Sequence, residues 1–157
     1  MKKLLLSFFL LTLSCFVFAQ HQQNQANEII QFLQGSWHNY SIIVEDGKAV
    51  DKTDYKETMT IKNASTLSIT AHDFHEGEDL TRDMTLILEG DKITMKQGSF
   101  EAKGLKEGNV YYLKGFYNEL EFRFRLYTMG DKYVFHSETW NNGNIEQINM
   151  SYLLRQD

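Results

Sequence analysis

Turn signals recur along this chain roughly every 8–15 residues, and no proline interrupts the stretches between them. That beat belongs to a sandwich or barrel of short strands. The sequence predicts strands over 37–44, 55–61, 66–72, 80–89 and 92–97. Further strands are expected over 110–115, 120–127, 132–140 and 145–155, and a short one around Phe100. Asp46-Gly47, Gly90-Asp91 and Gly130-Asp131 punctuate them, as do Asn63-Ala64-Ser65 and Asn141-Asn142-Gly143-Asn144. Asn-Gly and Gly-first pairs suit two-residue hairpins, because those turns need positive φ. A proline would delete a ladder donor wherever a strand is not at an edge, so its absence is in keeping. Aromatics at 13% and hydrophobics at 42% supply a packed core.

Alternation assigns faces. Leu120, Phe122, Phe124 and Leu126 share one side of their strand, against Glu121, Arg123 and Arg125. Leu80, Met84, Leu86 and Leu88 share another with Arg82. In the last strand Ile148, Met150, Tyr152 and Leu154 oppose Gln147, Asn149 and Ser151, so the apolar row is expected inside. Eight to ten strands joined by hairpins leave edges to hide, and closure removes them. The expected fold is an all-β, antiparallel up-and-down barrel. Ahead of it, Ile29, Phe32 and Leu33 fall on one face of a short helix that Gly35 ends.

A short helix running into Gly35-Ser36-Trp37 at the first strand, followed by a hairpin meander, resembles the lipocalin and calycin superfamily. The resemblance extends to small bacterial secreted lipocalin-like proteins. It implies that Trp37 closes the barrel floor and that Arg155, near the end of the last strand, packs across its ring as a cation–π partner. Gly35, Trp37 and Arg155 are then structural closure.

The first residues give an address. Lys2 and Lys3 precede a run from Leu4 to Ala19 that is too short to span a bilayer comfortably. Val17 and Ala19 fit the small-residue cleavage pattern, so 1–19 reads as a secretory signal peptide and 20–34 as a polar lead-in and helix. The barrel domain is expected over 35–157, in a periplasm or outside the cell. Cys15 raises lipidation, but Leu13 stands where a small residue is usual and the apolar run continues past it. Losing Lys2 and Lys3 takes the formal charge from −5 to about −7. Acidity of that order argues against nucleic acid, where a basic stripe supplies most of the affinity. Membrane contact is expected only through the transient leader.

Met59, Met84, Met95, Tyr112, Phe122, Phe124 and Phe135 are the residues expected to line an interior that takes a small apolar or amphipathic ligand. The alternative is a scaffold barrel that fills itself with side chains and engages a partner through an acidic face. A barrel-mouth enzyme needs ionisable groups facing inward, and His136 with Glu138 is the pair to watch. His72, Asp73, His75, Glu76, Glu78, Asp79 and Asp83 hold zinc or calcium ligand types, but the stretch reads better as a solvated acidic hairpin tip. No phosphate loop, nucleophile elbow or cofactor motif is present, and the cysteine leaves with the signal. No metal or catalytic residue is therefore assigned, and the expectation leans away from an enzyme.

Overall fold

A computed structural model describes residues 28–75 and 78–156, without the side chains of 53, 73–75 and 78–80. The expected signal segment, Cys15 and most of the His72–Asp79 cluster lie outside the described residues or side chains. Ten strands follow a helix α1 at 28–33. They are β1 (Gly35–Glu45), β2 (Lys48–Asn63), β3 (Thr66–His75), β4 (Glu78–Glu89) and β5 (Lys92–Gln97). The series continues with β6 (Phe100–Glu107), β7 (Val110–Tyr117), β8 (Leu120–Met129), β9 (Lys132–Asn141) and β10 (Asn144–Gln156). Every sequential pair is antiparallel, and β1 also pairs with β10, closing the barrel. The expected all-β, up-and-down barrel is the fold observed.

The turns work as their sequences require. Asp46 and Gly47 have φ of 47° and 72°, and Asn142 and Gly143 have 49° and 83°, the double positive φ of a tight hairpin that matches strand twist. Two elements exceed their sequence reading. β2 begins at Lys48 because Lys48 to Thr53 hydrogen-bond along β1, with a bulge opposite Ile43/Val44. β6 is a full strand; its polar Lys103 and Lys106 conceal the inward Ala102 and Gly104.

One end of the barrel is solid. α1 lies across it with Ile30 and Leu33 buried, and beneath it pack Trp37, Met59, Leu67, Leu88, Ile93, Tyr111 and Tyr133. The closure depends on a helix end. Its last carbonyls have no partners within the helix. Trp37 Nε1 donates to the Leu33 carbonyl at 2.8 Å, while Arg155 donates to the carbonyls of Phe32 and Gln34. The Arg155 guanidinium also lies 4.6 Å from the Trp37 ring centroid. Gly35 makes the junction possible: its φ is +128°, and a Cβ there would meet Arg155 Nη1 at 3.0 Å.

The last strand corrects its expected sidedness. Trp37 pairs with Arg155 and Ser41 with Ser151, so Gln147, Asn149, Ser151, Leu153 and Arg155 form the inward row. The register shift near Glu146 lies before this row and leaves its parity unbroken. The apolar row therefore faces out, with Met150 and Tyr152 about half exposed. Tyr40 stacks on Tyr152 with centroids 5.3 Å apart, and His38 stacks on Tyr40 at 4.5 Å. Met150 and Tyr152, with Ile42, Tyr127 and Val134, border an outer groove of about 480 Å³.

Candidate ligand-binding site

Above the packed floor the barrel is open. A cavity of about 530 Å³ occupies the half farther from α1, with a small extension of about 50 Å³ reaching down toward Leu86, Leu126 and Leu153. The opening follows from side-chain size. At the floor the inward positions are Leu, Ile, Met and Tyr, whereas β9 and β10 send Ser137, Thr139, Gln147 and Asn149 into the upper half. Short polar side chains cannot meet across the axis as large apolar ones do.

The cavity has two chemically different walls. One is aromatic and thioether: Met84, Met95, Phe100, Phe122, Phe124 and Phe135. Phe100 meets Phe122 edge-on at 5.4 Å and Phe124 at 6.0 Å, and Phe124 meets Phe135 at 5.6 Å. Gly115 makes room for this cluster, since a Cβ there would lie 2.8 Å from the Phe100 ring and 2.7 Å from the Glu101 carbonyl oxygen. The other wall is polar, running from Tyr55 and Glu57 through the short side chains of β9 and β10.

Glu57 is the unexpected member. It is 7% exposed, at the base of the cavity, where it also borders the deeper extension. Asn39 Nδ2 donates to Glu57 Oε1 at 2.7 Å and to the Tyr55 hydroxyl at 2.8 Å. Asn39 thereby leaves its own buried Oδ1 without a partner among the described residues. Burial pushes the Glu57 carboxyl above its ordinary range, against the Asn39 and Tyr55 hydrogen bonds and the more distant Arg82 charge, which lower it. The hydroxyl of Tyr133, fully enclosed nearby, is held well above the usual tyrosine range, chiefly by burial and then by the Glu57 charge.

Of the seven expected lining residues, Met84, Met95, Phe122, Phe124 and Phe135 meet at this cavity. Met59 does not: it is buried in the floor, opposite Gly35. Tyr112 is corrected outright. It is 41% exposed on the outside of β7, because Tyr111 and Leu113 take the inward positions. Sequence reasoning missed Tyr55, Glu57, Phe100 and Arg82. Tyr55 and Glu57 share parity with Met59 and Ile61, so an acid within an apolar alternation was the available signal.

His136 and Glu138 lie on the outer face of β9, away from the cavity. Glu138 Oε2 accepts from Trp140 Nε1 at 2.9 Å and its Oε1 from Arg125 at 3.1 Å, while Arg123 covers the Trp140 ring at 3.9 Å. His136 Nδ1 is 3.9 Å from Glu138. Burial, and then Arg125, lower the His136 pKa. The pair thus belongs to a network on the outer face of β9, where His136 borders the outer groove and neither residue lines the interior cavity. Among the described residues no group of three or more potential metal ligands converges.

Known structures share this architecture. An S-type phycobiliprotein lyase from Guillardia theta superposes with a TM-score of 0.67 at 13% identity, over 89% of this chain and 98% of that one. The fold is lipocalin-like. A protein of unknown function from Nostoc punctiforme aligns with a TM-score of 0.60 at 14% identity, over 81% of this chain and 48% of its own length. An M. tuberculosis protein aligns at 0.53 and 15% identity, over 84% and 98%. No family model matches the sequence, and no curated protein matches it.

Proposed function

We propose that this lipocalin-like barrel is exported by the signal segment 1–19 and binds a small apolar or amphipathic molecule in the upper half of its interior. The observation that carries the reading is the cavity of about 530 Å³ beside a wall of methionine and phenylalanine. Ligand pockets usually begin near ~300 Å³ and combine an apolar lining with a few fixed polar groups. A scaffold barrel has no need of such a space, and the outer-face placement of His136 and Glu138 removes the acid–base pair expected of a barrel-mouth enzyme. Affinity comes from burying ligand surface against Met84, Met95 and the phenylalanine cluster, with Tyr55, Glu57 and the β9–β10 polar row fixing orientation.

Native mass spectrometry of the processed protein, purified from its own host, is the test. The expected spectrum carries a bound species of a few hundred daltons at about unit stoichiometry. A uniformly ligand-free protein that also takes up no apolar fluorophore overturns the reading.

A further inference from the structure

Resting on that reading, we infer that the ligand donates a hydrogen bond, from an N–H or O–H at its buried end, to the carboxylate of Glu57. Among the described residues that line the cavity, Glu57 is the sole carboxyl group, and it sits where the open space meets the packed floor. A carboxyl at 7% exposure is costly to keep there. A single apolar replacement of similar size would extend the row of Met59 and Ile61 without that cost.

The surroundings also hold it as an acceptor. Asn39 turns both amide hydrogens toward Glu57 and Tyr55 and leaves its own carbonyl oxygen unpaired in the interior. That orientation costs a buried hydrogen bond and makes sense only if the groups ahead of it accept. Asn39 engages Oε1 and Tyr55 also hydrogen-bonds to the carboxyl, but an ionised carboxylate has room for about four donors in all. Beside the hydroxyls of Tyr55 and Tyr133, the extension is lined by apolar groups, among them Ile69, Met84, Leu86 and Met95. These apolar groups cannot donate, so a ligand entering there meets one strong acceptor with room for a donor beyond Asn39 and Tyr55. An anionic group is correspondingly disfavoured at that depth. The ligand class is an apolar, aromatic-bodied molecule whose innermost polar group is a donor.

A matched pair of probes tests this. N-phenyl-1-naphthylamine and 1-benzylnaphthalene have nearly the same shape and differ by an N–H in place of a CH₂. The amine is uncharged at neutral pH, which separates hydrogen bonding from net charge. Titrating the processed chain with the first, and competing it with the second, is expected to give about tenfold tighter binding of the amine, the worth of one hydrogen bond to a charged acceptor. Glu57→Leu is expected to bring the two affinities together. Equal affinities in the wild-type protein overturn the inference and leave the cavity reading standing. Failure of both probes to bind overturns both. The wild-type comparison needs no variant, so it decides even if Glu57→Leu does not fold. A preference that survives Glu57→Leu in folded protein moves the acceptor elsewhere and overturns the assignment.

Discussion

Two residues decide how this barrel is closed and how its interior responds to pH. Arg155 joins the last strand to α1 through two carbonyls and one aromatic face. It is solvent-exposed, so water replaces part of what its removal loses. Arg155→Ala is expected to cost about 1–2 kcal/mol in chemical denaturation. Arg155→Lys recovers only part of this, because an ammonium cannot fork to two carbonyls while lying flat on a ring. Buried Trp37 is a harder loss, about 3–5 kcal/mol on substitution by alanine. Glu57 acts in the opposite sense to an ordinary carboxylate. Burial raises its pKa above 4.5, so the folded protein holds that proton more tightly than the unfolded chain. Its stabilising contribution is full below 4.5 and is lost as the pH rises through the higher folded value. The exposed Glu101 and Glu121, lowered chiefly by hydrogen bonds from Lys103 and Lys114, act with the other sign: their contribution is full above 4.5 and is lost only as the pH falls below it. Thermal melts from about pH 5 to pH 8 are therefore expected to show wild type losing stability relative to Glu57→Gln. A constant difference between the two across that range contradicts the assignment.

Strands were easier to read than the direction in which they face. The helix, the hairpin turns and the alternation of β4 and β8 were all legible, because period and turn chemistry are local. β10 shows the limit. Its alternation is real, but a period of two does not say which row is inside, and the apolar row of Ile148, Met150 and Tyr152 faces out. The reason is long-range: the inward Trp37 is paired with Arg155, and that register carries the whole strand with it. Leu153, the apolar member of the otherwise polar row, was the local clue. The cavity was legible in part, since five of the aromatic and methionine positions expected to line an interior border it. Glu57 was not: it shares parity with Met59 and Ile61, but nothing local says that this row faces the interior until its partners in register are known. The sidedness makes its own prediction. Leu153→Ala is expected to cost about 2–5 kcal/mol, as at a core site, whereas Met150→Ser on the same strand stays within about 0.5 kcal/mol of wild type. Equilibrium urea unfolding of the two variants measures both, and the reverse order would show that the register is wrong.

At the scale of the whole molecule, the barrel divides its interior between a packed half and an open one. The floor half is packed with large apolar side chains around Trp37. The upper half forgoes such packing, and the polar inward row of β9 and β10 keeps it open. Ser137 is the position where this division can be reversed. It lies inward on β9, opposite Phe124 in the β8–β9 register and beside Asn149 of β10. Ser137→Leu adds apolar volume to the space against the phenylalanine wall and removes a hydroxyl that the core does not need. If the open half exists for a ligand, the variant is expected to melt at the same temperature as wild type or higher, while its affinity for N-phenyl-1-naphthylamine falls by about tenfold or more, because the probe and the leucine compete for one volume. Saturating probe should raise the wild-type melting temperature through binding to the folded state alone, by about 2.7 kcal/mol at a hundred times its dissociation constant, and should raise that of the variant much less. A destabilised variant with undiminished probe affinity would mean that the polar row serves the fold instead of the cavity.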